Sequence, residues 1–256
     1  MAIVTATSSD LQMGDPVNFS GLVNSVATGV GNATSFSTIN MMFGGGVWQF
    51  AGAGFGGYVA GIPSTGTVTG VTYSGSSSAS ITGLSLSIAT FFTFVNNSDQ
   101  NGLYNLVFAG NDSITGSSFS DSLTGYSGSN TINGGDGDDV ITTLGIDTID
   151  GGAGIDSIFI DRSQISSPTA LNLSGMTTNA GIALANGTSI RNVEAFDVTT
   201  GSGNDTLTFS GTLAGLNVFR GGAGADHVVL DLSTTTIAWQ TGFDRVTTSF
   251  GSPVLF

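Results

Sequence analysis

Residues 134–159 read GGDGDDVITTLGIDTIDGGAGIDSIF. Asp139, Asp147 and Asp156 are each followed two places later by isoleucine, at Ile141, Ile149 and Ile158. The aspartates are 8 and 9 residues apart. That step is too short for a helical hairpin and too regular for a loop. It is an internal repeat, and a repeat of this kind dictates the architecture of the chain that carries it. In nines the units are AGNDSIT (109–115, truncated), GSSFSDSLT (116–124), GYSGSNTIN (125–133), GGDGDDVIT (134–142), TLGIDTID (143–150, one residue short) and GGAGIDSIF (151–159). The pattern lapses over 160–199, where TALNL and GIALA still read as strands. It returns at TGSGNDTLT (200–208) and GGAGADHVV (221–229).

GGxGxD favours a tight turn, because its glycines accept positive φ. The residues after Asp favour a short strand with the aliphatic side chain inward. Two such units make one coil of 18 residues, and coils stack at about 4.8 Å, the ordinary inter-strand spacing. One edge then carries Asp112, Asn130 and Asp147, and the other Asp121, Asp139 and Asp156. Ile114, Leu123, Ile132, Ile141, Ile149 and Ile158 fill the interior as ladders. Carboxylates stacked about 5 Å apart repel by ~3 kcal/mol per pair at an effective dielectric near 20. Two aspartates and several turn carbonyls per gap form an all-oxygen cage suited to Ca²⁺, whereas Mg²⁺ dehydrates reluctantly.

GGDGDDVIT, GGAGIDSIF and GGAGADHVV match the nonapeptide GGxGxDxUx, so the chain resembles the RTX (repeats-in-toxin) calcium-binding family. The resemblance implies a parallel β-roll and calcium bound between coils. Its site residues here would be Asp112, Asp121, Gly128, Asn130, Gly135, Gly137, Asp139, Asp147, Gly152, Gly154, Asp156, Asp205, Gly222, Gly224 and Asp226. It also implies type I export, folding outside the cell, and an uncleaved C-terminal signal that the final PVLF fits loosely. Departures matter. Asn130 replaces an aspartate, so its edge should bind calcium more weakly. GSSFSDSLT lacks the usual glycines. Asp205 and Asp226 are 21 residues apart, which requires a longer coil. A metal-free solenoid using Gly and Asp as turn formers is the competing reading of the repeat.

The expected fold is all-β: a parallel β-roll or β-helix solenoid, preceded by a β-rich region with one or two short helices. Its divisions would be an N-terminal region (1–108), the repeat roll (109–159) and a continued solenoid with a C-terminal cap and export signal (160–256). In the first region, Asp15 as N-cap and Pro16 at the first helical position precede Phe19, Leu22, Val23 and Val26 at helical spacing. SDQNGLYNLVF reads as a second helix with Leu103, Leu106 and Val107 on one face. GGGVWQFAGAGFGGYVAG, GTVTGVTYSG and SSSASITGLSLSIATFFTF read as strands. Their aromatics read as core, with a ligand pocket as the alternative.

Composition excludes several functions. The chain has 256 residues, no cysteine and no lysine, four arginines, 18 acidic residues and a net charge of −14. Nucleic acid and anionic membranes need a basic surface that this chain lacks. No apolar run is long enough to span a bilayer, and MAIVTATSSD has no basic or apolar region of a signal peptide. HExxH, GxSxG and a P-loop are absent. The single histidine, His227, falls at a variable repeat position and reads as a surface residue. Haem capture through His227 or Tyr58 and ice binding by an outward Thr face are further non-catalytic readings, set against a lone His in a turn and an irregular spacing of the outward Thr residues. The expectation is a non-enzymatic, secreted calcium-binding structural protein of the cell surface or matrix. It would assemble head to tail with copies of itself. Trp48, Phe50, Phe55 and Tyr58 would supply one face and Trp239, Phe243 and Phe250 the other, unless both sets only cap their own ends. A monomeric adhesin or ligand-binding module, with cell-surface polysaccharide as partner, is the alternative.

Overall fold

A computed structural model describes residues 2–6, 25–27, 31–40, 47–74, 78–97, 99–232, 237–239 and 245–248. The repeat units coil, and three sheets result. In the first sheet, strands Ser113–Thr115, Thr131–Asp136 and Thr148–Ala153 stack in parallel, with Ile114, Ile132 and Ile149 in register. In the second, Ser122–Thr124, Val140–Thr143 and Ser157–Asp161 do the same, with Leu123, Ile141 and Ile158 in register. All six aliphatic side chains are buried. Each contributes about 2 kcal/mol of apolar burial. The ladder outlasts the repeat: Ile149 pairs with Ile190 and Ile158 with Phe196, both buried.

The second sheet is the spine of the molecule. It continues through Ala195–Thr199, Asn217–Arg220 and Ile237–Trp239, six strands in all. Its partner changes along the way. The first sheet ends with Ser189–Arg191 and the antiparallel pair Ile182–Ala183. A third, all-parallel sheet takes over, from Ala170–Asn172 through Thr206–Gly211 and His227–Leu232 to Arg245–Thr248. The pieces TALNL and GIALA are therefore strands, and they mark the handover between partners.

Towards the N-terminus the first sheet runs on without a break. Ile3–Ala6 pairs in parallel with Ser113–Thr115 on one side and antiparallel with Ser78–Ser87 on the other. Antiparallel strands Thr65–Ser74, Val47–Gly56, Ser35–Asn40 and Ser25–Ala27 complete eleven. One sheet thus joins the N-terminal region to the roll.

Among the described residues two helices follow the strand Ser78–Ser87; Ile88–Asn96 packs on this sheet and Gln100–Val107 packs against Ile88–Asn96. Gln100–Val107 is capped by Asp99, whose side chain accepts from the Gly102 N–H, and it buries Leu103 and Val107 while Leu106 is half-buried. Ile88–Asn96 corrects the sequence reading, which took IATFFTF for strand. Alternation stops at Ser87. Ile88, Phe91 and Val95 then fall on one buried face at helical spacing. Phe91 packs edge-on against Phe50 at 5.5 Å. The helix expected to include Val26 is contradicted there, because Val26 lies in the strand Ser25–Ala27, paired with Ile39; residues 15–24 lie outside the described residues. Trp48, Phe50 and Phe55 are buried, and Tyr58 packs against the same core. They belong to the core and not to an exposed assembly face: Phe50 packs against Phe91 and Phe92 of the helix Ile88–Asn96, and Trp48 against Tyr73. Phe243, Phe250 and PVLF lie outside the described residues, as does the Trp239 side chain. Among the described residues no helix is long and apolar enough to cross a membrane.

Candidate metal centre

The strand ladders force the aspartates that precede them into columns. Each rung is tied to the next by one hydrogen bond. On one edge the Asp121 N–H donates to Asp139 Oδ1 at 2.8 Å, and the Asp139 N–H to Asp156 Oδ1 at 2.9 Å. On the other, the Asp112 N–H donates to Asn130 Oδ1 at 2.8 Å and the Asn130 N–H to Asp147 Oδ1 at 2.9 Å. The Ala2 N–H donates to Asp112 Oδ1, so the N-terminal strand closes that column. At the third sheet the Asp205 N–H donates to Asp226 Oδ1 at 2.9 Å, and the Thr169 N–H to Asp205 Oδ1 at 2.7 Å. The coil of 21 residues therefore keeps the same rung geometry, with Thr206 in register with His227. His227 itself is half-buried at the start of its strand.

The turns above each aspartate are built on glycine. Gly128, Gly135, Gly137, Gly152, Gly154, Gly222 and Gly224 all have positive φ, between 78° and 144°. A Cβ at Gly152 would strike the Gly135 carbonyl, and one at Gly154 the Gly137 carbonyl. The first glycine of the unit serves a different end. A Cβ at Gly134 would meet both Asp139 Oδ2 and the Gly151 carbonyl oxygen, and at Gly116 both Asp121 Oδ2 and the Gly134 carbonyl. Each glycine thus leaves space where a carboxylate oxygen of one coil and a backbone oxygen of the next converge.

These oxygens are short of donors. Asp112, Asp139, Asp156 and Asp205 are at most 3% exposed, and the Oδ2 of each is buried with no hydrogen bond. Burial pushes the Asp139 carboxyl up to about 7, aided by the charges of Asp156, Asp121 and Asp138. Burial likewise pushes Asp156 up to about 6, with Glu194, Asp138 and Asp150 adding to it. Asp112 is raised, again chiefly by burial. Buried carboxylates in this state need a proton or a cation. Paired oxygens of this kind fit a hard cation such as Ca²⁺. Among the described residues no three acidic or His side chains converge on one point. The remaining ligands would be backbone carbonyls and water.

The edges differ. At the start of the Asp121 column, where the usual glycines are missing, Ser117 supplies the donors: its Oγ donates to Asp121 Oδ2 at 3.1 Å. On the Asp112 edge, Thr143 Oγ1 donates to Asp147 Oδ2 at 2.7 Å and Asn130 Nδ2 to Asp147 Oδ1 at 2.9 Å. Hydrogen bonds satisfy Asp147 there. Asp139 and Asp156 have no such substitutes at Oδ2, so their edge offers the stronger demand for a cation.

Sequence reasoning missed an outer ladder. Asn111, Asp138 and Asn204, each just before a column aspartate, accept the N–H of Ser129, Ile155 and Ala225 on the following coil at 2.8–2.9 Å. The paired acids and amides in ND, DD and ND were the available signal. It also missed Thr188 and Glu194, which receive the last N–H of the Asp112 and Asp121 columns at 3.4 and 3.0 Å. Neither stands in a repeat unit, so no sequence signal pointed to them.

Residues 108–141, 142–159 and 212–233 match the family model of the RTX calcium-binding nonapeptide repeat. Searches of curated proteins and of solved structures found no match.

Proposed function

We propose that this chain, an RTX-repeat protein that binds calcium, is a secreted, non-catalytic structural subunit that assembles head to tail outside the cell. RTX-repeat proteins are generally secreted. The observation that supports assembly is the spine sheet. All its strands are parallel, with Ser122–Thr124 at one end and Ile237–Trp239 at the other. A second copy stacked in the same direction would continue the same sheet, because unlike ends make a heterologous contact that propagates. Strand edges of this kind pair readily. Low charge helps, since charged residues are 9% of the chain against roughly 25% in ordinary soluble domains. Exposed Phe119, Val140, Leu144, Ile146, Ile155 and Leu216 add apolar surface along the roll.

Calcium would act as the switch. Without it the carboxylate columns carry buried, repelling charge; with it the coils lock and present their ends. Light scattering and electron microscopy of the purified chain, before and after millimolar calcium, test this. Growth into filaments or sheets with calcium, reversed by EDTA, is the expected result. A calcium-loaded particle of monomer mass at high concentration would leave the solitary adhesin instead.

A further inference from the structure

We propose that the cation ladder of the Asp121 edge extends one gap beyond the repeats and is closed by Glu194, so that a further hard divalent cation of the Ca²⁺ type binds between Asp156 and Glu194. The proposal rests on the calcium reading of the repeat. Glu194 is the sole glutamate of the chain and stands in RNVEAF, outside the matched repeat. The excursion through residues 162–194, between the strands Ser157–Asp161 and Ala195–Thr199, ends by placing it in the column, 38 residues after Asp156. Ser157 is in register with Ala195, so Glu194 is the rung after Asp156. Its Oε2 accepts the Asp156 N–H at 3.0 Å, as each aspartate accepts from the rung before.

The gap itself has the geometry of the repeat gaps. At Gly134 the converging oxygens are Asp139 Oδ2 and the carbonyl of Gly151 in the next coil. At Gly151 they are Asp156 Oδ2 and the carbonyl of Asn192. Asn192 therefore takes the place of the first glycine of a unit. Its φ of 50° is left-handed, unlike the backbone of Gly134 and Gly151, and Asn tolerates that conformation best among residues other than glycine. The turn is pinned from outside. Asn192 Nδ2 donates to Asp150 Oδ1 at 2.7 Å, and Arg191 pairs with Asp150 Oδ2 at 2.6 Å. A separate observation points to a ligand: Asp156 is fully buried, and its Oδ2 faces this gap with no hydrogen bond.

Glu194→Gln is the informative variant, because Gln keeps an oxygen for the Asp156 N–H and loses only the charge. Calcium bound per chain is counted by elemental analysis after dialysis at fixed free calcium, with circular dichroism as the check on fold. The expected result is about one calcium ion per chain fewer than wild type, with the β spectrum kept in saturating calcium. Glu194→Asp, which keeps the carboxylate, should retain the count. An equal, non-zero count in wild type and Glu194→Gln overturns the proposal and leaves the repeat sites standing. A wild type that holds no calcium overturns both. Should Glu194→Gln fail to fold in calcium while Glu194→Asp folds, the carboxylate charge is what the turn requires and the proposal stands. If both fail to fold, it is overturned.

Discussion

Asn130 Nδ2 donates to Asp147 Oδ1 at 2.9 Å across one coil. The same amide donates to the Gly125 carbonyl. One neutral side chain thus does by hydrogen bonding what a cation would do on the opposite edge. Asn130→Asp should therefore raise the calcium affinity of this edge and weaken the calcium-free fold. The loss has two sources: a hydrogen bond to a charged group, about 1.5–3 kcal/mol, and a new carboxylate repulsion of about 3 kcal/mol. Denaturant melts in EDTA and in calcium check it. The variant should be less stable than wild type in EDTA and at least as stable in calcium. A variant weaker in both would contradict the reading.

Protons should substitute for calcium. Asp139 titrates near 7 and Asp156 near 6 in the fold, against an ordinary 3.8, with burial as the first cause. Raised values mean that the folded chain holds protons which the unfolded chain has released. Calcium-free stability is thus highest at or below about pH 4. It falls as pH rises and reaches its floor above about pH 7. Thermal melts in EDTA should show a midpoint that drops between about pH 5 and pH 7.5. In saturating calcium that slope should shrink or vanish. A midpoint in EDTA that is flat or rises over the window would show that the buried carboxylates are not the weak point.

Much of the roll was legible because its constraints are local. The residue two places after each aspartate had to point inward, and Ile114, Ile132 and Ile149 do stack in register. The three-sheet handover was not legible, since it depends on where the excursion through residues 162–194 returns. Only tertiary register puts Glu194 under Asp156. IATFFTF misled for another reason: its aromatics carry strong strand propensity, and the sheet beneath overrides it by burying Phe91 against Phe50.

Gly134→Ala should cripple the central gap by sterics alone. Gly134 does not have positive φ, so alanine costs the backbone little. The added Cβ, however, would collide with Asp139 Oδ2 and with the Gly151 carbonyl. Overpacking of this kind costs about 1–3 kcal/mol, and both displaced atoms belong to the same oxygen set. Calorimetry should show at least about a tenfold loss of affinity in one class of sites, with the Asp205–Asp226 edge unaffected. A uniform loss over all sites would point instead to general destabilisation.

The N-terminal region and the roll should unfold together, because one strand belongs to both. Val4 is fully buried and in register with Ile81 on one side and Ile114 on the other. The Ala2 N–H, two residues away, closes the Asp112 column. Val4→Asp would place an unpaired carboxylate in that joint, a change that costs several kcal/mol. Two readouts separate coupling from independence. Near-ultraviolet circular dichroism reports the buried Trp48 and Phe50 of the N-terminal sheet, and calcium titration of the far-ultraviolet β signal reports the roll. The expected result is a loss of the aromatic signal together with a calcium midpoint shifted to higher concentration. An unchanged calcium midpoint beside a lost aromatic signal would mean that the roll folds on its own and that the shared strand is only a seam.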